Sequence, residues 1–228
     1  MSGSNQSSHS MTSPITLLIC ALGGEGGGVL SEWLVDVARH AGYAAQATSI
    51  PGVAQRTGAT TYYIEVFPTP LSQLSRKPIF SLNPVPGRLD MMISSELLET
   101  ARQVTNGLPA KAVTHIITSS SRALTTGERM VLGDGRVDSD QLLAVIEANA
   151  AKLNVLDMNA IAKECGTIVS AVMLGAIAGS GLFPFALADY KAVVVGEKAA
   201  GNAMAEKSWR GFERAFALMS VTAMLQDD

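Results

Sequence analysis

Between an apolar run and a stretch of helical period stands Gly23-Gly24-Glu25-Gly26-Gly27-Gly28, five glycines around one carboxylate. A loop joining a strand to a helix presents backbone N–H groups and the positive end of the helix dipole, which together can hold an anion. Glycine also permits left-handed backbone and close packing of helix on strand, so the same residues fit a purely structural turn. Glu25 lowers the affinity of such a loop for phosphate and suits a hydrogen-bonding or interface role. The Walker pattern fails, because Gly28 is followed by Val29-Leu30 where Lys and Ser/Thr are needed. A dinucleotide fingerprint would need a third glycine at Val29 and a ribose-binding acid after the second strand, where Ala47-Thr48-Ser49 stand. A second polar group is Gly52-Val53-Ala54-Gln55-Arg56-Thr57-Gly58. In an open α/β sheet it would follow a strand's carboxyl end, beside the first loop, where such sheets bind ligands. Arg56 is the sole cation between Arg39 and Arg76. It would pair with a carboxylate, a phosphate or Glu25, or with a neighbouring surface acid.

Other chemistry is harder to place. The two cysteines, Cys20 and Cys165, lie far apart in apolar settings and form no C-x-x-C, so neither a disulfide framework nor a zinc or iron–sulfur site is legible. The three histidines, His9, His40 and His115, have no metal-ligand spacing, and His115 reads as a satisfied core or sheet-surface residue. No metal site is expected. Gly133-Asp134-Gly135 begins like a metal-diphosphate motif, but no suitable Asn follows, and Asp134 reads as a turn residue. Seventeen basic and twenty acidic residues leave a net charge of -3 with no Lys/Arg run, which removes the main driving term for nucleic-acid binding.

Elements to carry these groups follow from periodicity. Of the 228 residues 47% are hydrophobic and 16% charged, which excludes the composition of a disordered chain. Strands are expected at Ile15 to Leu22, Tyr43 to Ile50, Thr60 to Phe67, Leu89 to Ser94, Val113 to Thr118 and Asn154 to Asp157. Helices are expected from Val29 to Gly42, Ser95 to Val104 with Ser94 or Ser95 as cap, Asp140 to Lys152, Ala160 to Glu164, onward from Ile168, and Ala203 to Leu225. Prolines 68, 70, 78, 84 and 86 predict a long irregular connection from Pro68 to Arg88. This alternation predicts a three-layer αβα fold with a mostly parallel open sheet, Rossmann-like but without a dinucleotide fingerprint. Met1 to Thr12 reads as a disordered or cloning-derived tail, and 13–228 as one domain. The uncharged stretch Gly166 to Ala188 is long enough for a membrane span, but Gly179-Ser180-Gly181 and Pro184 interrupt it. A core helix, no membrane association and a cytoplasmic location are expected.

The two loops together resemble the gamma domain of the 2-oxoacid:acceptor oxidoreductases, a family that includes the pyruvate, ketoisovalerate and indolepyruvate ferredoxin oxidoreductases. Its members open with a strand and G-x-G-G-Q-G, then carry H-G-M-A-Q-R-G-G. The matching residues are Ala21-Leu22-Gly23-Gly24-Glu25-Gly26 and Pro51-Gly52-Val53-Ala54-Gln55-Arg56-Thr57-Gly58. Leu89 to Glu96 and Val172 to Ile177 are similar to the family's fourth strand and late apolar helix, so the resemblance runs from about Ile15 to Phe216. Among the subfamilies it looks most like the indolepyruvate oxidoreductase beta subunit. Ala21, Glu25, Pro51, Val53 and Thr57 depart from the pattern, in place of Gly, Gln, His, Met and Gly.

The resemblance implies a subunit of an enzyme that oxidatively decarboxylates a 2-oxoacid to an acyl-CoA, inactive by itself. Thiamine diphosphate, Mg and iron–sulfur clusters would belong to a partner large subunit, ferredoxin would be the acceptor, and CoA the cosubstrate. A hetero-oligomer is implied, with a dimer of this chain alone as an alternative. Gly23, Gly24, Glu25, Gly26, Gly27, Gly52, Gln55, Arg56, Thr57 and Gly58 would face the substrate, CoA or the partner, with no catalytic residue assigned. The rival reading is a stand-alone nucleotide or flavin binding module that uses the glycine loop.

Overall fold

A computed structural model describes residues 13–50, 59–123, 128, 130, 137–196 and 202–224. Six strands form one sheet in the order β2-β3-β1-β4-β5-β6: β1 Ile15–Leu22, β2 Tyr43–Ile50, β3 Ala59–Pro70, β4 Met91–Ser94, β5 His115–Ser119 and β6 Lys152–Leu156. Only β3 runs against the others, antiparallel to both β1 and β2, while β1, β4, β5 and β6 pair in parallel. The αβα, mostly parallel reading of the sequence holds. Leu17 to Ala21 of β1 and Met91 to Ile93 of β4 are apolar on both faces and buried, as strands covered by helices on either side must be.

Helices α1 Gly27–His40, α4 Met158–Cys165, α5 Val169–Gly179, α6 Leu187–Val194 and α7 Ala203–Met224 pack on one face, around Leu17, Ile19, Ile93 and Phe212. Helices α2 Leu97–Thr105 and α3 Ser139–Ala148 cover the other, over Leu18, Met92 and Ile116. Because α5 is apolar all round, it is enclosed by its neighbours, with Ser170 to Ile177 buried. It meets α7 at backbone distance: a Cβ on Gly175 would lie 2.1 Å from the Phe212 carbonyl oxygen. Among the described residues no single helix is long and apolar enough to cross a membrane, and α4 and α5, which pass jointly by composition, are bent by 114°.

The expected boundaries shift where pairing overrides local preference. Pro68 and Pro70 continue β3 past the end of β1, where a residue without an N–H costs no ladder bond on that side; Leu71–Gln73 then forms a 3-10 turn. The third helix stops at Ala148, because Lys152 pairs with His115 and is drawn into β6, two residues ahead of the expected strand. The cap of α2 is Glu96, whose side chain accepts the Glu99 N–H, so Ser94 and Ser95 are not its caps. Helix α6 is absent from the sequence reading, being short and following Pro184 closely. His115 meets its expectation: Nε2 lies 2.7 Å from Asn154 Oδ1, and burial lowers its pKa. The tail 1–12 and Gly133-Asp134-Gly135 lie outside the described residues.

Candidate functional site

Strand β1 leads into α1 on one face, and its neighbour β4 leads into α2 on the other. The chain therefore diverges at the carboxyl ends of β1 and β4, the crevice in which open α/β sheets hold ligands. The glycine loop and Ser94-Ser95-Glu96 meet there. The Glu25 N–H donates to the Leu22 carbonyl at 3.1 Å, and its carboxylate turns back to accept the Leu22 N–H at 3.1 Å. The Ser95 hydroxyl also donates to Glu25 Oε2, while the Ser95 N–H donates to the Cys20 carbonyl at 3.0 Å. Glu25 thus ties the β1–α1 loop to the β4–α2 loop, a link across 70 residues of sequence that no local pattern reveals.

Two glycines here answer to space. Gly26 caps α1 with φ of 81°, and a Cβ on it would stand 2.7 Å from the Ser170 hydroxyl at the start of α5. A Cβ on Gly27 would lie 2.8 Å from both the Ala21 Cβ and the Tyr62 ring. The structural account of the loop therefore applies to these residues. The anion account keeps one support: the cap residue Gly26 has no side chain to occupy the first-turn N–H groups of α1. Gly23 and Gly24 lie exposed on the outside of the loop, with Gly24 at φ 88°.

Behind the crevice stands a buried polar layer. Glu96 Oε2 accepts the Glu99 N–H at 2.6 Å and Oε1 the Ala123 N–H at 3.0 Å. Arg122 places Nη2 2.5 Å from Glu128 and Nη1 3.6 Å from Glu96, within ion-pair range but too far for a hydrogen bond. Glu99 accepts from Gln103 Nε2 at 2.6 Å; burial raises its pKa, against the opposing influence of Gln103 and Arg102. The Thr100 and Thr118 hydroxyls lie 2.6 Å apart. At the end of β5, Ser119 Oγ accepts the Ser121 and Met158 N–H groups. These carboxylates and hydroxyls hold loop ends in place and leave few acceptors facing outward.

Burial pushes the Cys20 thiol well up, with Glu99 adding to the effect, so it is no thiolate. Among the described residues no three His, Cys, Asp or Glu side chains gather as a metal would need. A four-cysteine iron–sulfur cluster cannot be held by a chain with two cysteines. Gly52, Gln55, Arg56, Thr57 and Gly58 lie outside the described residues. Their flanks are placed, however: Ile50 pairs with Thr61, and Ala59 with Leu22, so both flanks stand at the end of the sheet from which the glycine loop departs. Arg122 and Ser170 are the members of this region that sequence reasoning passed over, neither carrying a local signature, and Ser95 was read only as a possible helix cap.

The sequence profile of the pyruvate ferredoxin/flavodoxin oxidoreductase family matches residues 16–218. No curated protein matches the chain in sequence. The fold is shared with pyruvate oxidoreductase subunit PORC from Thermotoga maritima, at 15% identity over 90% of this chain and 96% of that one, with a TM-score of 0.61. It is shared equally with 2-oxoglutarate:ferredoxin oxidoreductase from Magnetococcus marinus, at 13% identity and a TM-score of 0.61, over 92% of this chain but 31% of that one. The gamma subunit of a keto/oxoacid ferredoxin oxidoreductase from Geobacter sulfurreducens PCA follows, at 15% identity and a TM-score of 0.55, over 90% and 97% of the two chains.

Proposed function

We propose, from the premise that the chain belongs to the pyruvate ferredoxin/flavodoxin oxidoreductase family, that it is the gamma-type subunit of a 2-oxoacid:ferredoxin oxidoreductase. The supporting observation is the match over 16–218, nearly the whole described fold. In this reading 13–228 is one domain of a cytoplasmic hetero-oligomer. A partner chain carries thiamine diphosphate with Mg, and iron–sulfur clusters; this sequence has two cysteines where a cluster needs four, and among the described residues no ligand set is assembled. The complex converts a 2-oxoacid and CoA to an acyl-CoA and CO2, with two electrons leaving for ferredoxin. Indolepyruvate is the substrate we favour, on the resemblance to the indolepyruvate oxidoreductase beta subunit.

The contribution of this chain is positional. The Glu25–Ser95 link and the Glu96 cap fix the crevice between β1 and β4, and the uncapped first turn of α1 faces an approaching anionic group such as a CoA phosphate. Arg56, from the segment rooted at the same edge, is assigned to the same approach. That uncapped turn also favours the second reading, a binding module for a free nucleotide or flavin. Co-expression with the thiamine-binding chain and anoxic assay of CoA-dependent viologen reduction over a panel of 2-oxoacids separates the two. Turnover with a preference for indolepyruvate supports the subunit reading. An inactive pair, together with 1:1 uptake of FMN or NAD by this chain alone in calorimetry, would establish the module.

A further inference from the structure

Ala45, Ala47, Ile64 and Val66 face the helical side that holds α1, and on the opposite face of β2 and β3 the side chains of Gln46, Thr48 and Glu65 hold Ser81 and Leu82 of the connection after β3. The Thr48 hydroxyl donates to the Leu82 carbonyl at 2.8 Å and Gln46 Nε2 to the Ser81 carbonyl at 3.1 Å. Buried Glu65 accepts the Ser81 N–H at 2.7 Å on one oxygen and the Tyr63 hydroxyl at 2.6 Å on the other. A charge-assisted bond to a buried carboxylate is among the stronger anchors a loop can have. The ends are fixed too, with the Leu71 N–H donating to the Gly42 carbonyl and the Gly87 N–H to that of Leu108, both at 2.9 Å.

This well-anchored segment turns its large apolar side chains outward. Ile79 is 94% exposed and Leu82 65%, with Leu71 and Val85 also exposed. Single exposed apolar residues need no explanation, but four on one anchored connection expose apolar surface that water solvates poorly. Two clefts of about 480 and 450 Å³ adjoin it, with Ser13 and Pro14 in both: one is lined by Leu74, Arg76, Lys77 and Ile79, the other by Val85, Arg88 and Val113 above Glu65 and Asp90, carboxylates already hydrogen-bonded to Tyr63, Ser81 and Thr16. Residues 71–88 also carry Arg76, Lys77 and Arg88 without a single acid, although the chain as a whole has a net charge of -3. Apolar anchors rimmed by one sign of charge on a pre-ordered backbone are what a protein–protein hot spot requires.

We propose that the outer surface of residues 71–88, centred on Ile79 and Leu82 and rimmed by Arg76, Lys77 and Arg88, docks the thiamine-binding partner subunit through an acidic face with apolar side chains that enter the two clefts. The inference rests on the subunit reading above. It assigns assembly to this surface and leaves the crevice at the carboxyl ends of β1 and β4 free for substrate approach. A lone ordered loop exposing isoleucine would otherwise be an aggregation liability, and burial in a complex removes it.

The test is the dissociation constant between this chain and the purified thiamine-binding chain, for the wild type, for Ile79→Asp and for the double variant Arg76→Glu/Lys77→Glu. Circular dichroism and denaturation midpoints check that each variant is folded. The expected result is weakening by about 100-fold for Ile79→Asp. The charge-reversed variant should bind about tenfold more weakly and lose the salt dependence of the wild type. Wild-type binding that Ile79→Asp leaves within twofold would overturn the docking surface while the subunit reading stands. No binding by the wild type would remove the subunit reading, and the proposed occupant with it. Self-association in sedimentation that Ile79→Asp abolishes, with no partner binding, would assign the surface to a second copy and overturn the proposal.

Discussion

The crevice at the carboxyl ends of β1 and β4 and the proline-rich connection over β2 and β3 are both anchored by carboxylates, buried at Glu96 and Glu65 and part-buried at Glu25, and they put them to opposite ends. In the crevice, Glu25 and Glu96 accept from backbone N–H groups of the very loops that line it, so the polar groups are largely used up internally. In the connection, Glu65 holds one backbone N–H from beneath, and the side chains above it are left bare to solvent. A carboxylate that closes its own loop stabilises the fold, whereas one that props a loop from below presents that loop to something else. The same residue type thus marks a stability element in one region and a presentation element in the other.

Variants that break the crevice should cost stability, and those on the connection should not. The largest loss is expected for Gly27→Val, whose side chain has no room beside Ala21 and Tyr62: about 3 kcal/mol in urea denaturation. Glu96→Ala removes the α2 cap and leaves Arg122 with one partner fewer in a mostly buried setting, and should cost about 2 kcal/mol by the same measurement. Glu99→Gln sharpens the comparison through pH. Burial raises the Glu99 pKa in the folded state, so the protonated form is favoured by folding; its stabilising contribution is present at acid pH and is lost as pH rises through the folded pKa. The variant should therefore be more stable than the wild type at pH 8, with the gain shrinking toward pH 4. A pH-independent difference would assign Glu99 a neutral packing role. Ile79→Asp, at a 94% exposed position, should change stability by no more than about 0.5 kcal/mol.

The layered αβα plan was legible in the sequence, since β1 is an unbroken apolar run ending in glycines and α1 an unbroken helical period ending at Gly42. Ends of elements were less so, because long-range pairing sets them: His115 opposite Lys152 decides where α3 gives way to β6, and the end of β1 decides where prolines can enter β3. In the site, the glycine loop announced itself, and the charge argument left Glu25 a hydrogen-bonding or interface role, the first of which its bonds with Leu22 and Ser95 fill. Its partner was not, because Ser95 is brought beside it only by the parallel pairing of β1 with β4. Ser170 faced the same difficulty: its hydroxyl matters through its proximity to Gly26, which depends on α5 packing across the sheet.

The most direct test of the subunit account is a titration. Purified chain is added under anoxic conditions to a fixed amount of the thiamine-binding partner prepared without it, and indolepyruvate- and CoA-dependent viologen reduction is followed. The account predicts no turnover from either chain alone and a rate that rises linearly to a plateau at one copy of this chain per partner. A partner that turns over at full rate before any is added, or a rate that stays at zero through a large excess, would contradict it.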